Sequence, residues 1–519
     1  MITFNRRQFL STAALSAAAA IPGSAYLSRL GAQTAARQQG MYIRRDIGAA
    51  DIPMDILEDY RRAVTAMLQL PPADPRNWYR QSLIHLLDCP HANWWFLPWH
   101  RVYLGWFEKI CREMSGNSRF ALPYWNWSRD QRIPAEFFSG ALDPSSEMYL
   151  ESYADFKQNF EGTVVEVWRA LTDRQRQALQ HRGYEGVERL LVDIEHVFAP
   201  REQARLLTVA EPHFLDVTKQ ATSTDSVRRA LAPRSFVKFG SMPAAQHSEP
   251  AGSHVLESTP HNLLHNGVGG MMGDFLSPID PIFYLHHANI DRIWDVWIAL
   301  QRAEGLEIHP DGPELSQWSA EDFEFFVDEQ GRSVTGMPWG AYLQKDVFGY
   351  TYQPPATAES RPPEVEIVRG GTLYEAALSR RELTADEPVL AQVRLPPELL
   401  VNALDADGAT LLMSIGMEYP MPVDAWEFHV FIRPSTVGLS DPAYAGKLIL
   451  FGTHSGHAQH GRALTLTIGL NAALVQLDAA GGLDPDAEVV VVLEARLTGV
   501  QPPATRHLAV HGMAVEVVG

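Results

Sequence analysis

The chain has 519 residues, 46% hydrophobic and 20% charged, a globular composition with room for two or three domains of roughly 150 residues each. Its formal net charge of −19 repels polyanions, so nucleic acid and anionic membrane surfaces are poor partners. Only two cysteines are present, Cys89 and Cys111, so at most one disulfide can form within the chain.

In chain order, Arg6-Arg7, then Phe9-Leu10, then an Ala-rich run have the layout of a twin-arginine export signal over residues 1–36. Cleavage after Ala25 or Ala36 suits the small residues before each. The run is too short and too Ala-rich for a membrane span, so no membrane anchor is expected. Residues 51–115 show apolar side chains at three- and four-residue spacing, which predicts helices. Cys111 falls inside one of them. ALPYWNWS (121–128) reads as an aromatic connector, 150–235 as helical, and 236–260, rich in Gly, Pro and Ser, as a loop. Thr259-Pro260 suits a helix start. Residues 279–304 predict a long helix, and 353–366, Pro-rich and polar, predict a linker. Beyond it, runs such as AWEFHVFIR and AEVVVVLEARL alternate between turn signals. That pattern predicts an all-β sandwich over 367–519, after a mainly α-helical domain over 37–352.

Histidines carry the chemistry. His85, His91 and His100 crowd one window around Cys89. A lone histidine is usually a satisfied core residue, but three beside a cysteine suggest a metal site. Farther on, PHNLLHNG places His261 and His265 four apart, on one helix face. His286 and His287 are adjacent, about 100° apart on a helix, so only one can point at a metal shared with that pair. Each set is all imidazole. Magnesium and calcium want oxygen ligands, facial-triad iron wants a carboxylate, and binuclear zinc hydrolases mix in Asp or Glu. Two three-imidazole sets favour a dicopper centre over a His-only zinc site.

The motifs then resemble those of the tyrosinase and polyphenol oxidase family. H-x3-C-x-H-x4-F-x2-W-H-R-x-Y-L, from His85 to Leu104, is similar to the first copper motif. P-H-N-x2-H followed by D-P-x-F-x2-H-H-x-N-x-D-R-x-W is similar to the second. LESTPHNLLH, FEFFVDEQG, Tyr350-Thr351-Tyr352 and EFHVFI resemble plant-type polyphenol oxidases that carry a C-terminal β domain. The resemblance implies a four-helix bundle holding two copper ions. It implies His85, His91 and His100 on the first and His261, His265 and His287 on the second. Phe96, His286 and Asp291 would stand beside the ligands without binding. Asp291 would fix a ligand tautomer or pair with Arg101. Cys89 would be joined to His91 by a thioether; a free thiol or a disulfide to Cys111 are the alternatives. Asp274 or Phe275 would lie near the pocket mouth.

The implied chemistry is ortho-hydroxylation of small phenols and oxidation of catechols to o-quinones, with O2 as co-substrate. Glu257 and Asn262 would hold a water that takes the phenol proton; a solvated loop charge and a helix cap are the plainer readings of the two. The C-terminal domain would keep the enzyme latent, or else stabilise or oligomerise it. Copper-delivery helpers and homo-oligomers are compatible with this reading. Competing readings are a catechol or o-aminophenol oxidase without monophenolase activity, and a hemocyanin-like oxygen carrier.

Overall fold

The computed structural model describes residues 41–49, 52–53, 55–310, 312–343, 347–354, 373–405, 408–418, 426–435, 441–448, 463–497 and 507–518. The expected export signal and most of the expected linker (355–366) lie outside the described residues, as do His454, His457 and His460 of THSGHAQHGR, which the sequence reads as exposed loop histidines or as a copper contact during loading.

Two hydrophobic cores organise the chain. The first gathers residues from Tyr60 to Tyr352, and the second gathers residues from Leu383 to Val517. The first is helical. Helices α1 (Asp55–Gln69), α2 (Trp78–Asp88) and α3 (Phe96–Ser115) form the predicted N-terminal group. Asn77 caps α2 by accepting the Tyr79 N–H, and Gly116, at φ 72°, ends α3 in the left-handed region. The stretch expected to be helical from 150 breaks into α4 (Tyr153–Ala170), α5 (Asp173–His181), α6 (Val187–Val197), α7 (Asp216–Ala221) and α8 (Thr224–Leu231). Helix α9 (Asn262–Val268) and the long α10 (Ile282–Glu304) follow.

The predicted helix start at Thr259-Pro260 takes an unusual form. Glu257–His261 is a π-helical turn with Pro260 inside it. Proline has no N–H to place in an α-helical ladder, and the wider turn accommodates that loss.

Helices α3 and α10 pack together through a buried ionic knot. Asp291 on α10 accepts from Arg101 Nε at 2.5 Å and from Arg44 Nη1 at 3.3 Å. The Tyr350 and Tyr352 hydroxyls donate to it at 2.6 Å each. Arg44 also reaches Glu108 of α3 at 2.7 Å. Burial would raise the Asp291 carboxyl, but Arg101, Arg44 and the two tyrosines outweigh it and hold it below the usual range. The knot is closed by β1 (Tyr42–Arg44), which pairs in parallel with β2 (Tyr350–Tyr352).

The second core is a sandwich of two five-stranded sheets. One contains β3 (Leu373–Glu375), β5 (Glu382–Thr384), β7 (Thr410–Glu418), β10 (Ala463–Gly469) and β12 (His507–Val518); the other contains β4 (Ala377–Leu378), β6 (Val389–Val393), β8 (Trp426–Arg433), β9 (Ala443–Leu448) and β11 (Val489–Leu497). Alternation along Trp426–Arg433 is nearly strict, with Trp426, Phe428, Val430 and Ile432 buried. The sandwich is not all-β: α11 (Pro397–Leu404) and α12 (Asn471–Ala479) belong to it. Both bury apolar side chains at helical spacing, Leu399, Leu400 and Ala403 in one and Ala473, Leu474 and Leu477 in the other.

Candidate metal centre

Four helices bring six imidazoles together. His85 comes from the last turn of α2, His91 from the loop after it and His100 from the first turns of α3. Their ring centroids stand 5.3 to 5.6 Å apart. His261 ends the π-turn, His265 lies on α9 and His287 on α10, with centroids 4.5 to 5.5 Å apart. The two sets face each other: His100 stacks on His287 at 4.1 Å, and His91 lies 5.7 Å from His261.

Hydrogen bonds fix which nitrogen of four of the six rings faces the centre. Nδ1 of His85 donates to the Phe275 carbonyl at 2.8 Å, Nδ1 of His100 to Phe96 at 2.7 Å, and Nδ1 of His265 to Met272 at 2.6 Å. His261 Nδ1 donates to the Asn262 side-chain oxygen at 2.8 Å. A carbonyl only accepts, so the proton sits on Nδ1 and the Nε2 lone pair points inward. The buried Nε2 atoms of His85 and His100 have no partner in the protein. Burial first, and neighbouring imidazoles second, push His85, His91, His261 and His287 well below the usual histidine range. Burial takes His100 to about 3 and His265 to about 4. These rings are neutral and available to a cation.

His286 also lies in the second group, with a ligand atom within 4.8 Å of those of His261, His265 and His287. Its Nδ1 accepts the Trp127 indole N–H at 3.1 Å. An imidazole that accepts at Nδ1 carries its proton on Nε2 and offers no second lone pair. His287 Nε2, by contrast, approaches His265 Nε2 to 3.3 Å, as two ligands of one ion would. Of the adjacent pair, His287 is therefore the one whose free nitrogen faces the group.

The neighbours sort out as follows. Phe96 packs edge-on against His261 at 4.7 Å and His100 at 4.9 Å. Phe283, not singled out from the sequence although it stands in the D-P-x-F motif, lies 4.3 Å from His287 and 5.1 Å from His85. Phe275 supplies its carbonyl to His85, and Asp274 accepts the Phe275 N–H at 2.8 Å. Asp291 spends its oxygens on two arginines and two tyrosines; of the two roles expected for it, it pairs with Arg101 and fixes no imidazole. Cys89 and Cys111 are both free thiols, so the disulfide alternative is not formed. Cys89 Sγ lies 3.4 Å from His91 Nδ1.

Glu257 is buried, not a solvated loop charge. One carboxyl oxygen accepts the Ala92 N–H at 2.6 Å, and the other bonds Ser241 Oγ. Ala92 directly follows His91 and has φ 54°, rare for a residue with a side chain. Burial pushes Glu257 up to about 8, against the pull of Ser241 and Ala92. Behind the centre, His247 bridges Asp88 at 3.0 Å and Glu321 at 2.5 Å. Burial would lower it, but the two carboxylates win and raise it to about 9. Trp99 Nε1 and the Arg182 guanidinium also hold Asp88, at its side chain and its carbonyl respectively. Sequence reasoning missed this staple.

Six neutral imidazoles in two facing sets on a four-helix frame define a dinuclear, all-nitrogen metal centre of the kind that suits copper. The donor set fits two copper ions: buried lone pairs converge and no carboxylate stands among the ligand atoms of the second set. Residues 63–300 match the family model for the common central domain of tyrosinase. Residues 63–300 thus carry a tyrosinase central domain, and with its tyrosinase and polyphenol oxidase relatives the chain is a copper oxidoreductase by kind. Among its relatives are the chloroplastic (+)-larreatricin hydroxylase of Larrea tridentata, 27% identical over 85% of this chain and 73% of that protein, and the chloroplastic polyphenol oxidase A1 of Vicia faba, 26% identical over 85% and 72%. A solved latent aurone synthase shares the fold, with TM-score 0.55 and 21% identity over 93% of this chain and 90% of that one. Among the described residues, no helix is long and apolar enough to cross a membrane.

Proposed function

We propose that the chain is an exported dicopper phenol oxidase, which ortho-hydroxylates monophenols and oxidises catechols to o-quinones with O2, and which its β domain keeps latent. The observation that carries this reading is the pair of facing three-imidazole sets. Bound copper would supply O2 activation and electron acceptance. The protein's own residues do the rest. His85, His91 and His100 would hold one ion and His261, His265 and His287 the other. Phe96 and Phe283 wall the rings and keep water from their faces. Glu257 and Asn262 line a common cavity of about 10 Å³, the scale of a single water. There a carboxylate could take the phenol proton. Asn262 also orients His261.

Latency draws support from the opposite wall of that cavity, built by Lys447, Leu448, Leu466, Thr467 and Ile468 of the β domain. The seam is tied by Thr467 Oγ1 donating to the Ser253 carbonyl at 2.5 Å and by Asn266 Nδ2 donating to the Lys447 carbonyl at 3.1 Å. Thioether formation between Cys89 and His91, a two-electron oxidation with O2 as the acceptor of the two hydrogens, is part of the same reading; it would lower the mass by two hydrogen atoms and block one thiol from alkylation.

A second reading has its own observation. Both Glu257 oxygens are already engaged, and the carboxyl is neutral below about pH 8. That favours a catechol oxidase without monophenolase activity. Oxygen uptake by the copper-loaded chain on a monophenol and on its catechol, before and after the linker is cut, separates these readings. Uptake on both, rising after cleavage, supports the first; uptake on catechol alone supports the second. No uptake on either would overturn both and leave an oxygen carrier.

A further inference from the structure

The seam between the two domains holds another cleft, of about 440 Å³, within the size range of small-molecule sites. It lies on the back of the π-turn. Val255 and Thr259 line it, whereas Glu257 and Asn262 line the small cavity on the other side. One wall belongs to the helical domain, through Lys219, Gln220 and Arg229; the other belongs to the sandwich, through Thr410, Asn471 and Val475.

Three features point to an anion with an apolar body. First, the lining carries two cations, Lys219 and Arg229, with one exposed acid, Asp225; Lys219 also reaches the exposed Asp216, outside the lining, at 3.4 Å, and Arg229 donates to the Asp405 carbonyl at 2.7 Å. Second, the first turn of α12 opens on the cleft at Asn471 and Ala472 and has no side-chain cap. Asn471 cannot serve as one, because its amide is spent on Leu411 N–H and on the Ala403 and Ala409 carbonyls. The unsatisfied N–H groups of such a turn favour negative charge. Third, and independently, Thr410 is only 4% exposed and its hydroxyl, which can donate to an anion, has no partner. A buried polar atom without a partner costs about 1–3 kcal/mol, which a ligand's polar group would recover. Val255, Leu404 and Val475 complete the lining with apolar surface.

We propose that this cleft binds a small carboxylate with an aliphatic or aromatic ring, its head on Lys219, Arg229 and Thr410 and its ring on Val255, Leu404 and Val475. Because the walls come from both domains, such a ligand binds the docked arrangement alone and stabilises docking by linkage. That consequence for activity rests on the latency reading; the binding does not.

The test is calorimetric titration of cyclohexanecarboxylate into the copper-loaded full chain, with cyclohexylmethanol as the neutral control. One-site binding is expected. K219Q/R229Q should weaken it about tenfold or more, as should loss of the carboxylate from the ligand, and T410V should weaken it severalfold. Unchanged melting temperatures of the variants show that they fold. Equal affinity in the parent and K219Q/R229Q, or no binding to the parent, overturns the proposal. Bound ligand should also slow cleavage of the linker and lower oxygen uptake before cleavage. Binding that K219Q/R229Q abolishes, with oxygen uptake unmoved, upholds the cleft and counts against latency.

Discussion

At the scale of single residues, Glu257 decides between two readings of the centre. Ser241 Oγ has one proton and lies 2.5 Å from the Gly240 carbonyl, which can only accept. If Ser241 donates there, Glu257 must donate to Ser241, which requires a protonated carboxyl. The upward shift to about 8 agrees. For a carboxyl raised on folding, the stabilising contribution is fully present below the unfolded value near 4.5 and is lost as pH rises through about 8. Glu257→Gln should therefore flatten the decline of melting temperature between pH 5 and 8. If Glu257 takes the phenol proton, the same variant should lower monophenol turnover by about 100-fold while catechol turnover changes little. His247 runs the other way in origin. Its raised value, about 9, gives stability that is present below pH 6.5 and lost as pH rises through 9. His247→Ala leaves Asp88 buried without its cation and should cost about 3–5 kcal/mol in urea unfolding.

At the scale of elements, the convergence of six imidazoles was legible because motif spacing brings them together. His261 and His265 share a helix face through spacing alone, whereas the expectation of His287 over His286 needed the resemblance; the Trp127 hydrogen bond to His286 is a contact no spacing reveals. The sandwich was legible from strand alternation. Its two helices were not: α11 and α12 span eight and nine residues, too short for periodicity to separate them from buried strands. The His247 staple joins residues 159 and 74 positions apart, which no local pattern reveals. Gly446 on β9 shows how closely the elements meet. Its φ is 142°, and a Cβ there would sit 2.5 Å from Leu263 of α9. Gly446→Val should push β9 off α9 and cost about 1–3 kcal/mol; under the latency reading it should also raise oxygen uptake of the uncut chain severalfold.

At the scale of the molecule, the domains meet through a few specific ties and not through one continuous core. Lys238 pairs with Glu516, and His254 Nδ1 stands 3.9 Å from the same carboxylate. Arg229 Nη2 donates to the Asp405 carbonyl at 2.7 Å. Among the described residues, Leu412 alone of the sandwich joins the helical core. A seam of this kind can part without unfolding either domain.

The pairing of β1 with β2 bears on the order in which the protein is made. Arg44 waits 308 residues for Tyr352, which at ribosomal speed is roughly 15–60 s. All six imidazoles of the candidate centre, the last being His287, are synthesised before that partner arrives. A nascent chain thus carries a complete set of imidazoles while Arg44, Glu108 and Asp291 still lack their lock. A chain stopped after residue 340 should bind copper weakly and lose it to a chelator, and one stopped after residue 354 should retain it.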